Sequence, residues 1–249
     1  MPIYRRMLLP RPAQSGSIAR PESPLMQRLH YYPSTASMAP HILLRELGVP
    51  FELVLVDRTQ NAQKMTAYLK LNPNGLIPVL TSHDDAGELV LYEAAAICLH
   101  LCDTHPAAGM APMLGTAARA HFYKWLMWLT NTLQTTLTTY FYPERWVIAG
   151  NDAGAGQVKA AAQIKAGLLL DQLDAELARH ALAHPEPWLL GASYSAVDIY
   201  TLMLCRWTRN FASNPARDRA HLGPYLQRML ARPAVVEAFA AEQLVQPWV

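Results

Sequence analysis

The chain has 249 residues, of which 51% are hydrophobic and 16% are charged, so it is long enough for two small folded domains and too apolar to be disordered. Its formal net charge of +2 excludes the basic field that binding to nucleic acid requires. Even this excess lies in the first 25 residues, which contain four arginines and one glutamate.

Residues 1–25 differ from the rest of the chain. They contain five of the 19 prolines, with Ser and Arg between them, and lack the apolar stretch of a secretory signal. A mitochondrial presequence would need a helix, which these prolines would break. We expect either a disordered tail or a product of an upstream start codon, with Met26 as the functional start.

A strand–helix–strand unit opens the folded part of the chain. Leu29 to Tyr32 and Phe51 to Val56 have the short apolar period of strands. Between them, Ser37 to Leu47 has helical spacing and stops at Gly48, a natural C-cap. Such a unit should be parallel and right-handed. The sequence next predicts a polar helix over 61–70, strands over 77–81 and 88–91 joined by a tight turn, and an amphipathic helix over 93–102. Together these elements complete the order of a thioredoxin-type fold.

No strand pattern follows residue 106. Ser195 and Asp198 have the spacing of a capping box, with Asp in place of the usual Glu, and start a helix. The other predicted helices cover 116–141, 157–182, 223–230 and 233–241. We therefore expect a domain boundary near 106–116.

The cysteines, Cys98, Cys102 and Cys205, are odd in number and do not suggest a disulfide scaffold. A reducing compartment such as the cytoplasm is the simpler expectation. Cys98 and Cys102, with His105 nearby, are predicted to be small core residues rather than metal ligands, so no metal is expected. No apolar run approaches the ~18 residues of a membrane span.

Five segments of the chain, taken in order, resemble the soluble glutathione transferases, and the first resembles the bacterial beta class. The resemblance runs from about Arg28 to the C-terminus. The segments are 29–48 (LHYYPSTASMAPHILLRELG), 72–80 (NPNGLIPVL), 91–97 (LYEAAAI), the capping box at 195–198 (SAVD) and 232–235 (RPAV).

The resemblance implies an α/β thioredoxin-like glutathione-binding domain at 26–106 and an all-helical domain at 116–249. It implies an enzyme that conjugates glutathione to a hydrophobic electrophile in the cytoplasm, as a homodimer. Glutathione would be a co-substrate, and no other cofactor is implied.

The resemblance also assigns residues to glutathione. Pro78 matches a family proline that is cis, which turns the backbone of Ile77 outward to pair with the cysteinyl unit. Glu93 would pair with the γ-glutamyl ammonium, while the first N–H groups of the following helix take the neighbouring carboxylate. The family usually has Ser where this chain has Ala94, and the lost hydroxyl should weaken binding only modestly.

The residue that activates the thiol is less clearly assigned. Beta-class members have a Cys at the position of Ala36, so their redox role cannot apply here. Ser37 matches the serine that donates to the thiolate in other classes, although a plain helix cap is the alternative. Thr35, Ser34 and Tyr31 remain rivals for this role.

The long helix differs from the family pattern at one point. Beta-class members have a His-Lys pair where this chain has Gln134-Thr135, so a basic contribution to the thiol is missing. Asn131 and Thr132 fall at positions that in some relatives reach the glutathione of the neighbouring subunit.

The second substrate is predicted to sit against an aromatic run with one cation. Its members are Tyr140, Tyr142, Arg145 and Trp146. Packing in the core is the alternative reading of this run.

Two further functions stay open at this stage. One is glutathione-dependent disulfide or peroxide reduction, or isomerisation, which would have to work without a protein cysteine at position 36. The other is a non-catalytic binding or scaffold protein, which the departures at Ala36, Ala94 and Gln134-Thr135 allow.

Overall fold

A computed structural model describes residues 26–84 and 87–249, so the expectations for residues 1–25 lie outside the described part. Its first half is a four-stranded mixed sheet in the order β2-β1-β3-β4. The elements of this half are β1 (Gln27–Tyr31), α1 (Met38–Leu47), β2 (Phe51–Leu55), α2 (Thr66–Leu69), β3 (Val79–Asp84), β4 (Gly87–Tyr92) and α3 (Ala94–Thr104).

The predicted parallel strand–helix–strand unit is confirmed. β1 and β2 run parallel, with Gln27 opposite Phe51 and Tyr31 opposite Leu55. β3 runs antiparallel to β1, with Val79 opposite His30. The carboxyl end of β1 and the start of β3 therefore meet at the same edge of the sheet, where the predicted glutathione-binding segments also lie.

The predicted helix over 61–70 is mostly wrong. The segment contains the short 3-10 turn Ala62–Lys64 and the four-residue α2. Asn61 is left-handed at φ 54° and ends a preceding turn, which Asp57 caps by accepting the N–H of Thr59 at 2.8 Å. Short polar side chains that bond to nearby backbone favour such turns over a continuous helix.

The second half is helical, and within the described residues no strand follows Tyr92. The predicted helix over 116–141 is continuous but contains one π-helical stretch, Leu129–Gln134. None of the described helices has the length and apolar character that crossing a bilayer needs. The elements are α4 (Ala117–Trp128), α5 (Thr135–Phe141), α6 (Asp152–Ala181), α7 (Ala196–Trp207), α8 (Leu222–Leu230) and α9 (Pro233–Ala241).

The predicted capping box at the start of α7 is confirmed and is fully buried. One carboxylate oxygen of Asp198 accepts the Ser195 N–H at 2.8 Å. The other accepts the Leu189 N–H at 2.8 Å and the Tyr225 hydroxyl at 2.9 Å. Burial raises the pKa of Asp198 to about 6. This carboxylate joins α7, α8 and the preceding loop, which fixes the centre of the helical half.

The helix α1 links the two halves. Its buried side chains join one core with residues of α3, α7 and α9. At its end, Glu46 accepts two hydrogen bonds from Arg232, at 2.6 and 2.9 Å, and one from the Tyr194 hydroxyl at 2.9 Å. The predicted fold class is confirmed: a sheet half of thioredoxin type packs against a helical half.

Candidate active site

A cavity of about 310 Å³ lies between the sheet edge and the long helix. The sheet half contributes Ala36 from the loop before α1, Ile77-Pro78 from the start of β3, and Glu93-Ala94 from the start of α3. The helical half contributes Asn131 and Gln134 among others. The structure therefore brings the predicted glutathione-binding residues of two segments, Ile77-Pro78 and Glu93-Ala94, into one cavity with Ala36 and residues of the long helix.

The peptide bond between Ile77 and Pro78 is cis, as predicted. The preceding loop is held by Leu76, whose carbonyl accepts the Tyr68 hydroxyl and the Asn72 amide, both at 2.8 Å. In the part of the chain that the structure describes, the backbone N–H and C=O of Ile77 have no hydrogen-bond partner. A donor and an acceptor at the cavity wall can pair with an extended peptide.

Glu93 has an unusual backbone conformation, with φ 74° and ψ 111°, and immediately precedes α3. A positive φ is uncommon for a residue other than glycine and often marks a functional position. Its side chain is exposed at the cavity, and across the described residues no ion pair involves it. The site thus offers a free carboxylate for an ammonium group, beside the helix N-terminus that favours a carboxylate.

Ser37 is fully buried and does not line the cavity. Its hydroxyl donates to the Tyr32 carbonyl at 3.0 Å and contacts the Thr35 hydroxyl at 3.0 Å. The Thr35 hydroxyl also donates to the Tyr32 carbonyl, at 2.7 Å. Of this loop, Ala36 lines the cavity, and among the described residues its backbone N–H has no partner.

A buried carboxylate from the end of the chain supports the same loop. Glu242 accepts the Ser34 N–H at 2.9 Å with one oxygen, and contacts Nδ1 of His41 at 2.8 Å with the other. Nε2 of His41 accepts from Arg45 at 3.0 Å, so Nδ1 carries the proton and donates to Glu242. Sequence reasoning missed Glu242, because nothing near residue 242 indicates a partner some 200 residues earlier.

The π-helical stretch forms the opposite wall. Thr130, Asn131 and Gln134 line the cavity, and the Tyr200 hydroxyl donates to Gln134 at 2.6 Å. Burial raises the pKa of Tyr200. Of the pair predicted to reach a neighbouring subunit, Asn131 lines the cavity and is exposed, whereas Thr132 does not line it.

The other predicted residues lie outside the cavity lining. Tyr31 is half-buried, and burial raises the pKa of its hydroxyl. Tyr140 packs on Phe211 with ring centroids 4.6 Å apart, which agrees with the alternative of core packing. Arg145 is exposed and stacks over the Tyr142 ring at 4.0 Å.

Two family descriptions match this chain. "Glutathione S-transferase, N-terminal domain" matches residues 33–104, and "Glutathione S-transferase, C-terminal domain" matches residues 130–233. The first match contains the cis-proline segment and Glu93, and the second contains the π-helical wall and the capping box of α7.

Individual relatives agree with these matches. The chain is 30% identical to glutathione S-transferase GST-4.5 of Xanthomonas campestris, over 87% of this chain and 99% of the relative. It is 28% identical to glutathione S-transferase GstA of Escherichia coli O157:H7, with the same coverage. A solved sphingomonad glutathione S-transferase complexed with glutathione is 32% identical, with a TM-score of 0.71 over 88% of this chain and 100% of that one. The chain therefore belongs to the glutathione S-transferase family.

Proposed function

We propose that the protein conjugates glutathione to a hydrophobic electrophile in this cavity. One observation carries the proposal: Ile77 and Glu93, whose backbone and carboxylate have no partner among the described residues, line the same cavity as Ala36 in the loop before α1. These groups match the peptide unit, the ammonium and the thiol of a γ-glutamyl tripeptide. The sphingomonad relative, which was solved with glutathione, supports the same ligand.

Catalysis requires the thiol to ionise near neutral pH. A free thiol has a pKa of about 8.5, so half-ionisation at pH 7 needs about 2 kcal/mol, within the ~1.5–3 kcal/mol of one hydrogen bond to a charged group. The Ser37 hydroxyl, the predicted donor, would have to give up its bond to the Tyr32 carbonyl. The backbone N–H of Ala36 has no bond to give up among the described residues, and we propose it as the rival donor to the thiolate.

The reaction class follows from the residues at the cavity wall. None of the described cysteines lines the cavity, and Ala36, at the position where the resemblance to the beta class predicts a cysteine, has no thiol to form a mixed disulfide. Thiolate attack on an electrophile is therefore favoured over disulfide exchange through the protein. All three cysteines are free, and the proposal places the protein in a reducing compartment such as the cytoplasm.

The test uses Glu93→Gln, which removes the charge but keeps the shape. We expect glutathione to bind the wild type in calorimetry, and this variant to bind roughly ten-fold or more weakly, because a hydrogen bond to a charged group is lost. Glu88→Gln, an exposed glutamate in β4, is the matched control and should bind like the wild type.

Turnover is measured with 1-chloro-2,4-dinitrobenzene. Conjugation by the wild type supports the enzyme. Binding without turnover of any electrophile would instead support the non-catalytic alternative, and no binding at all would contradict the site itself.

A further inference from the structure

A cluster of two arginines and two tyrosines joins the two halves of the molecule. The Arg58 guanidinium lies 5.7 Å from the centroid of the Tyr32 ring and donates to the Tyr142 hydroxyl at 3.2 Å. The Arg145 guanidinium lies over the other ring, 4.0 Å from the Tyr142 centroid. We call these four residues the arginine–tyrosine cluster.

None of these four residues is in the cavity lining, but two of them are connected to residues that are. Tyr32 belongs to the loop of Ala36, because its carbonyl accepts the Ser37 hydroxyl at 3.0 Å. Tyr142 lies one helical turn after Thr138, which lines the cavity. The Tyr142 N–H donates to the Thr138 carbonyl at 2.9 Å. The cluster therefore lies beside the cavity, between the loop of Ala36 and the end of α5.

The two guanidinium groups are exposed and lack an acidic partner in the described residues. The nearest carboxylate in sequence, Asp57, instead accepts the N–H and hydroxyl of Thr59, at 2.8 and 2.6 Å, and Glu144 forms no ion pair. Arg232, by contrast, is paired with a carboxylate at 2.6 Å. Two unneutralised cations on aromatic faces offer both stacking and charge.

From this geometry we propose that the electrophile is an aromatic halide whose ring also bears an anionic group, such as a carboxylate or a sulfonate. This deepens the proposed function and rests on it. The aromatic ring of the substrate packs against Tyr32 and Tyr142, and its anionic group pairs with Arg58 and Arg145. In the reaction the thiolate sulfur forms a bond to a ring carbon, a halide leaves with its electron pair, and the thiol proton passes to solvent.

The test compares 4-chloro-3-nitrobenzoate with the neutral 4-chloro-3-nitrobenzamide. Each kcat/KM is divided by the uncatalysed rate of the same substrate, which removes the difference in ring reactivity. We expect the wild type to favour the benzoate. The double variant Arg58→Gln/Arg145→Gln should lose roughly three- to ten-fold of this preference, which is the range expected for two exposed ion pairs.

Arg179→Gln is the matched control, because this exposed arginine of α6 pairs with Glu176 at 2.9 Å, outside the cluster. It should keep the wild-type preference. Added NaCl should raise KM for the benzoate alone, since exposed charges are screened.

The inference would be overturned if the wild type accelerated both substrates equally, or if the double variant kept the wild-type preference. Either result would leave the proposed function standing. Failure of the wild type to bind glutathione or to conjugate any substrate would overturn both.

Discussion

Ser37 and Ala36 are neighbours in the chain but differ in what they already bond. The Ser37 hydroxyl is buried and donates within its own loop, whereas the N–H of Ala36 has no partner among the described residues and its residue lines the cavity. Position 36, where the resemblance to the beta class predicts a cysteine, is therefore the one of the two that lines the cavity. Replacing a thiol by a methyl group leaves the backbone as the nearest donor at this point.

The variant Ser37→Ala tests the predicted activator. We expect kcat/KM for 1-chloro-2,4-dinitrobenzene to fall at least about ten-fold if the hydroxyl donates to the thiolate, since a charge-assisted hydrogen bond is lost. The pH profile of kcat/KM should then shift to higher pH by about one unit, because the thiol ionises less readily.

A change in thermal stability alone would contradict a direct role and leave the Ala36 N–H as the donor. Thr35→Val serves as the comparison, because it removes the hydroxyl that contacts Ser37 at 3.0 Å. A larger loss of turnover in that variant would move the role to Thr35.

Several site residues could be found from the sequence, and several could not. Ile77, Pro78 and Glu93 belong to short segments whose pattern is local, and the structure places all three at the cavity. Gln134 was noted only as a departure from the family, and its partner Tyr200 lies 66 positions away. A contact between such distant residues has no signature in either segment, because it depends on how the helices pack.

At the scale of elements, the π-helical stretch explains why one continuous helix can present several polar side chains to the cavity. The Thr135 hydroxyl donates to the Thr130 carbonyl five residues earlier, at 3.2 Å. Threonine hydroxyls that bond back to the helix backbone distort its regular spacing. The extra residue in this π-helical turn changes which side chains face the sheet half. Such π-bulges are frequent at functional sites.

The start of α7 makes a pH-dependent prediction. Burial raises the pKa of Asp198 to about 6, so protonation of this side chain stabilises the folded state. This stabilisation is lost as the pH rises through that value. Between pH 5 and pH 7 the wild type should lose roughly 1 kcal/mol of unfolding free energy relative to Asp198→Asn, which cannot titrate there.

Denaturant unfolding of both proteins at pH 5, 6 and 7 measures this difference. A constant difference, or one that grows with pH, would show that Asp198 is already ionised at pH 5. The hydrogen bonds from Leu189, Ser195 and Tyr225 would then outweigh its burial.

At the scale of the whole molecule, α4 and α6 of the helical half each carry exposed apolar side chains. Met127 of α4 is 45% exposed, and Ile164 and Leu168 of α6 are 70% and 65% exposed. Ile164 and Leu168 are four residues apart and so share one face of their helix. We propose that a homodimer covers these side chains. Asn131, one turn beyond Met127, lines the cavity, so an interface over α4 would lie next to the site.

Sedimentation equilibrium tests the dimer. The wild type should sediment with twice the chain mass, and Leu168→Glu should shift it toward the monomer, because a buried charge at an interface is costly. Leu182→Glu is the control, since Leu182 is 89% exposed just beyond the end of α6. A monomeric wild type, or equal effects of both variants, would contradict this interface.

The sequence by itself determined the order of the strands and, apart from the segment 61–70, of the helices, together with the capping box of α7, the cis-proline segment and the family. All of these depend on residues close together in the chain, such as Ser195 with Asp198. Only the tertiary structure decided which groups share the cavity, that the Ser37 hydroxyl is already bonded, that Glu242 supports the loop of Ser34, and that Arg58 meets Tyr142. These features join segments far apart in sequence, and their distances are set by the packing of the helical half on the sheet.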